Sequence, residues 1–219
     1  DHIISLKEYL DVPVAYQWYK WYSWQQFPGM PRESNPNPDY FKYLQEDFTL
    51  NKELFQNASI RVVPYINSRL WNNGVEIWES EHPQAYACRV PYRMFDELIS
   101  YRPWRGSAYK DLAIFMEHWG GSNQAVMCPF TGFYQNKQSE IVNRLVSGYG
   151  VDGVYMDQIG SCSPVFCFHP DHGHTIGGGN YWSGGYRKLV TMVRERARGL
   201  NPDVIFTTEH HAEPYIDQF

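Results

Sequence analysis

The sequence lacks several features that would place it in a specialised class of protein. Its 219 residues hold no run of about 18 apolar residues, the length that a membrane-spanning helix needs. Lysine and arginine form no cluster, and the net charge of −5 provides no basic surface for the phosphates of a nucleic acid. We therefore expect no membrane span and no nucleic-acid partner.

Cysteines and targeting signals are also scarce. The four cysteines have neither the spacing of a zinc ribbon nor the density of a disulfide scaffold. Cys162 and Cys167 are close enough to form a small loop disulfide, but free thiols fit equally well. The chain starts at Asp1 without a signal-peptide segment, as in a processed or excised polypeptide, and carries one glycosylation sequon at residues 57–59. We expect a secreted, extracellular or periplasmic protein.

Aromatic residues are abundant. The chain contains 8 Trp, 17 Tyr and 12 Phe, and 43% of its residues are hydrophobic, so it can bury a core. Tryptophan and tyrosine beyond the needs of a core are typical of clefts that bind flat, partly polar ligands.

Short apolar runs alternate with helical patterns along the chain. The apolar runs predict strands at residues 12–18, 60–66, 125–128, 153–156 and 204–207. Helices are predicted at residues 92–98, 108–119, 141–146 and 186–197, and residues 72–121, which lack a clean period, are predicted to be an insertion.

This alternation predicts parallel strands joined by helices, in an α/β fold. A doubly wound sheet and a (β/α)8 TIM barrel both fit, but no G-x-G-x-x-G motif follows a strand, which favours the barrel. A barrel takes about 250 residues, so residues 1–219 are predicted to form a partial catalytic barrel with its first five strands. Because an open five-strand sheet exposes its edges, we expect the polypeptide to continue past residue 219 and close the barrel.

Two acidic residues end predicted strands on the side where barrel enzymes place their active sites. Asp157 follows the strand at 153–156, and Glu209 follows the strand at 204–207. Paired carboxylates in an aromatic cleft can hydrolyse glycosidic bonds, because one protonates the leaving oxygen while the other attacks or activates water. Asp152 precedes its strand and is predicted to be structural.

Polar and aromatic residues at the same level are predicted to bind substrate. Tryptophan faces can stack on sugar rings, and Arg69 can clamp an acidic sugar or pair with Asp157 or Glu209. The predicted binding residues are Trp18, Lys20, Asn67, Arg69, Trp71, Gln158, His172, His174, Trp182 and His210, with Trp21 and Trp24 nearby.

The loop of residues 167–174 is rich in possible metal ligands, namely Cys167, His169, Asp171, His172 and His174. Zinc prefers such ligands, and histidines 210 and 211 follow the last predicted strand. The spacing matches no known zinc motif, so a polar loop whose histidines bind sugar hydroxyls is the preferred interpretation, with no metal or cofactor expected.

The run GVDGVYMDQ at residues 150–158 resembles the fourth-strand motif of glycoside-hydrolase barrels related to α-galactosidases and endo-α-N-acetylgalactosaminidases. Residues 12–219 are similar to a largely uncharacterised family of bacterial glycosidase-like barrel proteins. The segments that carry this similarity are VPYINSRLW (63–71), AVMCP (125–129), HGH (172–174), GGG (177–179), TE (208–209) and AEPY (212–215).

The resemblance implies that Asp157 is the nucleophile of a retaining mechanism. Glu209 matches the acid/base of the endo-acting relatives, with Glu213 in reserve, whereas the α-galactosidase relatives use an aspartate after a sixth strand. We therefore expect a retaining glycoside hydrolase that acts on an oligosaccharide, polysaccharide or glycan. Two alternatives remain, a non-catalytic barrel that binds glycans or serves an extracellular structural role, and a metal-dependent hydrolase built on the histidine-rich loop.

Overall fold

A computed structural model describes residues 2–23, 35–91, 112–210 and 213–219. Within these ranges the α-helices are α1 (His2–Leu10), α2 (Phe48–Asn57), α3 (Ile77–Glu81), α4 (Gly132–Asn143) and α5 (Tyr181–Leu200). The strands are β1 (Val14–Trp18), β2 (Ile60–Asn67), β3 (Leu70–Asn72), β4 (Arg89–Pro91), β5 (Leu112–Ile114), β6 (Met116–Trp119), β7 (Ser122–Val126), β8 (Gly153–Asp157) and β9 (Ile205–Thr207).

The central element is a parallel sheet with the strand order β1-β2-β8-β9. Its register places Trp18 beside Pro64, and Asn67 beside Asp157. Nearly every residue of β2 is buried, as expected for a strand covered on both faces. Four of the five predicted strands are confirmed, and the chain has the predicted α/β fold.

The prediction that residues 125–128 form a further strand of this sheet is wrong. Their first two residues belong to β7, which pairs antiparallel with β3 and β6 in a separate sheet of order β3-β7-β6. Gly120 and Gly121, with φ values of 54° and 80°, form a two-residue turn between β6 and β7. Such a turn joins antiparallel strands, and an apolar run alone does not show in which direction its neighbours run.

The prediction of a helix at residues 108–119 is also wrong for residues 112–119, which are the part of this range that the structure describes. Residues 112–114 form β5, which pairs antiparallel with β4, and residues 116–119 form β6. The helix predicted at 92–98 lies outside the described residues. Strands β3 and β7, which flank the proposed insertion at 72–121, pair with each other, Asn72 lying beside Gln124.

The predicted helices at 141–146 and 186–197 are confirmed. Helix α4 continues into a π-helical turn at Arg144–Gly148, and helix α5 begins earlier than expected, at Tyr181. Together α4 and α5 pack against each other and bury Ile141, Val142, Leu189 and Val193. No helix among the described residues is long and apolar enough to cross a lipid bilayer.

Asp152 and Gly153 join β8 to its neighbours at the amino end of the sheet. The Asp152 carboxylate accepts hydrogen bonds from the Val62 amide and the Gln56 side chain, both at 2.8 Å, which confirms its structural role. A Cβ atom on Gly153 would lie 2.6 Å from the Ile205 carbonyl oxygen, so only glycine permits this approach of β8 to β9.

Candidate functional site

A cleft of about 600 Å³ lies at the carboxyl ends of the four parallel strands. Because these ends meet at one edge of the sheet, residues that are distant in sequence converge there. The residues that line the cleft are Gln17, Tyr19, Lys20, Asn35, Tyr65, Asn67, Leu70, Trp119, Gly120, Gln124, Tyr155, Asp157, Gln158 and Glu209.

Asp157 is the last residue of β8 and is partly buried in the wall of this cleft. The pKa of its carboxyl group is raised to about 6, chiefly by burial and also by the negative charge of Glu209, while a hydrogen bond from Tyr65 opposes the rise. The Tyr65 hydroxyl donates that bond to Asp157 Oδ2 at 2.7 Å. Asp157 is thus a carboxylate held in one orientation, with a pKa just below neutral pH.

Glu209 follows β9, the strand beside β8. The Thr208 hydroxyl donates to the Met156 carbonyl oxygen at 2.7 Å and thereby fixes the chain just before Glu209 against β8. The Glu209 side chain is exposed and accepts a hydrogen bond from the Ser161 hydroxyl at 2.8 Å. Its negative charge raises the pKa of the Asp157 carboxyl group, and both side chains line the same cleft. The two predicted carboxylates therefore lie together, one partly buried and one exposed.

Asn67 and Gln158 connect the ends of β2 and β8. The Asn67 side-chain amide donates to Gln158 Oε1 at 2.9 Å, and its oxygen accepts from the backbone amides of Arg69 and Leu70. Gln158 has a φ of 66° and directly follows Asp157. A residue other than glycine in this left-handed conformation is strained, and such strain is concentrated at functional sites.

Several predicted binding residues lie away from the cleft. Trp18 is buried against Phe48, with ring centroids 4.9 Å apart, and Trp71 is fully buried against Phe133 at 5.7 Å. Trp182 is buried in helix α5. Packing against neighbouring aromatic rings draws these tryptophans into the core. Among the described tryptophans, only Trp119 is exposed, and it lines the cleft.

Arg69 pairs with neither Asp157 nor Glu209. It forms a buried ion pair with Glu117, and its guanidinium lies 5.7 Å from the centre of the Trp182 ring. Glu117 in turn accepts a hydrogen bond from the Trp119 indole at 2.8 Å. Arg69 therefore supports the wall of the cleft from behind.

The predicted histidines are dispersed. His210 is exposed and lines a smaller pocket beside Tyr215, whereas Trp24 and His211 lie outside the described residues. His172 and His174 lie with Cys128 and Cys167 in a cluster whose residues do not line the Asp157 cleft. All four cysteines are free, so Cys162 and Cys167 form no disulfide.

Three tyrosines in the cleft were not predicted from the sequence. The Tyr65 ring packs against Tyr19 at 4.6 Å and Tyr155 at 5.9 Å, so the three rings form an aromatic wall beside Asp157. Side chains at positions i and i+2 of a strand share a face, which relates Tyr65 to Asn67 and Tyr155 to Asp157. That alternation is the signal that would have identified Tyr65 and Tyr155.

Residues 1–219 match the family described as "Domain of unknown function (DUF6259)" over their whole length. The chain belongs to the DUF6259 family. It is 30% identical over 97% of its length to "Putative glycoside hydrolase 22789" of Monosiga brevicollis, and 28% identical over 83% to "Putative glycoside hydrolase" of Bacteroides thetaiotaomicron. The matches span 17% and 24% of these relatives.

Solved glycosidases share the fold of this DUF6259 chain. The α-N-acetylgalactosaminidase NagBb of Bifidobacterium bifidum in complex with GalNAc matches all of the chain and 30% of its own length, with a TM-score of 0.68 and 12% identity. A GH31 family sulfoquinovosidase from E. rectale matches 97% of the chain and 29% of its own length, with a TM-score of 0.61 and 14% identity. The chain therefore shows the α/β architecture of glycoside hydrolases and is similar in sequence to proteins named as such.

Proposed function

We propose that this DUF6259 chain is part of a (β/α)8 barrel that hydrolyses glycosidic bonds with retention of configuration. One observation carries the proposal, namely that Asp157 ends β8, Glu209 follows the adjacent parallel strand β9, and both side chains line one cleft. The names of the relatives and the fold of the structural neighbours support a glycoside hydrolase independently.

In the proposed first step, the Asp157 carboxylate attacks the anomeric carbon of the sugar while Glu209 donates a proton to the glycosidic oxygen. The bond to the leaving group breaks and an ester forms between the sugar and Asp157. In the second step Glu209, now a carboxylate, takes a proton from water as that water attacks the anomeric carbon and releases Asp157.

The placement of the two carboxyl groups on neighbouring strands supports retention. Inverting enzymes separate their carboxyl groups by about 6.5–9.5 Å to leave room for a water molecule, whereas retaining enzymes use about 5–5.5 Å. Asp157 ends β8 and Glu209 follows the neighbouring parallel strand β9, and because adjacent strands lie about 4.8 Å apart, this placement suits the shorter separation. The Tyr65 hydroxyl would stabilise the attacking carboxylate, because it donates a hydrogen bond to the charged form.

The rest of the cleft fits a carbohydrate. The aromatic wall of Tyr19, Tyr65 and Tyr155 offers apolar faces to sugar rings, while Lys20 and Gln158 offer polar groups to hydroxyls. We propose an oligosaccharide, polysaccharide or glycan as the substrate. Because the names of structural neighbours include α-galactosidase and α-N-acetylgalactosaminidase, α-linked sugars come first in a substrate search.

The test is hydrolysis of a panel of aryl α- and β-glycosides by the purified full-length polypeptide that contains this chain, and by three variants of it. Asp157→Asn and Glu209→Gln should each lower kcat/KM by at least about 100-fold, the effect expected from losing a catalytic carboxylate. Glu213→Gln is the matched control, since Glu213 is exposed and does not line the cleft, and it should retain full activity.

Binding without hydrolysis would contradict the proposal. If the wild-type protein binds glycans but cleaves none, the non-catalytic alternative is correct. If Glu213→Gln abolishes activity while Glu209→Gln does not, the acid/base has been misassigned.

A further inference from the structure

A second cluster of reactive side chains lies outside the proposed catalytic cleft. Cys128 comes two residues after β7, whereas Cys167, His172 and His174 lie on the loop between β8 and α5. Their ligand atoms, two sulfurs and two ring nitrogens, all lie within 4.8 Å of one another. Both cysteines and His172 are buried, and His174 is partly exposed. The chain thus gathers two thiols and two imidazoles from distant positions into one small volume.

The distances fit a tetrahedral zinc ion. Cys128 Sγ lies 3.4 Å from His174 Nε2, and Cys167 Sγ lies 3.4 Å from His172 Nδ1. With Zn–S bonds of about 2.3 Å and Zn–N bonds of about 2.0–2.1 Å, a tetrahedral site separates a sulfur from a nitrogen ligand by about 3.5 Å. The two sulfur–nitrogen separations therefore already match those of a metal-bound set.

Both histidines are oriented as metal ligands. His172 Nε2 lies 2.9 Å from the Ala85 carbonyl oxygen, and His174 Nδ1 lies 2.8 Å from the Thr175 carbonyl oxygen. A carbonyl oxygen only accepts hydrogen bonds, so these nitrogens carry the protons. The other nitrogen of each neutral ring then directs a lone pair at a thiol. Zinc-binding histidines are commonly oriented in this way by a second hydrogen bond to a carbonyl or carboxylate oxygen.

The backbone holds these ligands in place. The Cys128 amide donates to the Tyr86 carbonyl at 3.0 Å, and the Gly177 amide donates to the Cys167 carbonyl at 2.8 Å. Gly173, between the two histidines, has a φ of 74°, a conformation that favours glycine. The turn at Gly173 lets two residues separated by only one position present their rings to the same cluster.

We propose that Cys128, Cys167, His172 and His174 form a structural zinc site that fastens the loop of residues 167–177 to the end of β7. Two thiolates and two imidazoles are a ligand set that zinc prefers, and four protein ligands fill a tetrahedral site completely. No coordination position remains for a water molecule, so this zinc is not a hydrolytic centre. The site is independent of the proposed glycosidase chemistry, because none of its residues lines the Asp157 cleft.

Zinc content and affinity of the purified, reduced protein test this proposal. The protein, expressed with zinc in the medium, is analysed for bound metal and then titrated with Zn²⁺ against a chromophoric chelator. We expect one zinc per chain and a lower Tm after chelation. Cys128→Ser and His174→Gln should each weaken binding by more than about 100-fold, because loss of a direct ligand costs more than the 10–100-fold of a second-shell partner.

Cys162→Ser is the matched control, since Cys162 is a free thiol outside the cluster, and it should bind zinc like the wild type. Cobalt substitution of the wild-type protein requires no variant, and it should give thiolate charge-transfer and tetrahedral ligand-field bands. The proposal is overturned if the wild type binds no zinc stoichiometrically, if cobalt shows no thiolate band, or if His174→Gln binds zinc as tightly as Cys162→Ser does.

Discussion

Replacing Asp157 by asparagine is expected to stabilise the protein at neutral pH while abolishing its proposed activity. Unfolding releases the carboxyl group into water, where its pKa is 3.8, whereas burial raises the pKa in the folded protein to about 6. The folded state therefore holds more protons between these two pH values, and stability falls as pH rises through that window. Above about pH 6 this loss of unfolding free energy is constant and amounts to at most about 3 kcal/mol.

Asparagine removes this loss of unfolding free energy, because it carries no charge and still offers an oxygen to the Tyr65 hydroxyl. At about 2–4 °C per kcal/mol for a chain of this size, Tm at pH 7.5 should rise by several degrees and by at most about 12 °C. At pH 4 the gain should almost vanish, since the wild-type carboxyl group is then mostly protonated in the folded state. Thermal melts of both proteins across this pH range measure the difference.

Asp152→Asn is the matched control, because Asp152 accepts hydrogen bonds from the Val62 amide and the Gln56 side chain. It should destabilise the protein at pH 7.5 by about 1–2 kcal/mol. A lower Tm for Asp157→Asn at pH 7.5, or a gain that does not change with pH, would refute the reasoning.

Three further predictions concern the cleft and its support. Glu117→Gln should destabilise the protein by about 3–5 kcal/mol in chemical denaturation, because it leaves the buried Arg69 charge unpaired, and Arg69→Met in the same chain should recover part of this loss. Gly153→Ala should lower the free energy of unfolding by about 1–3 kcal/mol or more, because its Cβ would lie 2.6 Å from the Ile205 carbonyl oxygen of the neighbouring strand. Gly199→Ala, whose Cβ would meet no atom within 4 Å, should be neutral or stabilising in the same denaturation assay. On any substrate that is cleaved, kcat/KM should fall below a pH of about 6, where Asp157 becomes protonated, and an unchanged rate at pH 5 would contradict its role as nucleophile.

The parallel strands were predictable because each is a local pattern. An apolar run followed at once by an acid, as at residues 153–157, specifies both a buried strand and a polar residue at its end. Since all carboxyl ends of a parallel sheet meet at one edge, the proximity of Asp157 and Glu209 followed from the strand assignment alone. The strand-to-strand register then brought Asn67 beside Asp157.

The remaining features depend on contacts between distant parts of the chain. Strand β7 pairs antiparallel with β3 and β6, although the Gly120-Gly121 turn was a local signal of that hairpin. In the sequence, Trp18 and Trp71 come at or just after the end of an apolar run, as the residues of the cleft do. Only their contacts with the aromatic rings of Phe48 and Phe133 place them in the core. Cys128 meets the histidine-rich loop through tertiary packing, so no spacing motif could have related it to His174.

Trapping the proposed glycosyl-enzyme intermediate tests the central claim most directly. The protein is incubated with fluorinated glycosyl fluorides of the sugars it cleaves, which form the intermediate faster than water removes it, and the labelled peptide is then mapped by mass spectrometry. The account predicts one sugar ester on Asp157, no label in Asp157→Asn, and products that retain the anomeric configuration. A label on another residue, or products of inverted configuration, would contradict it.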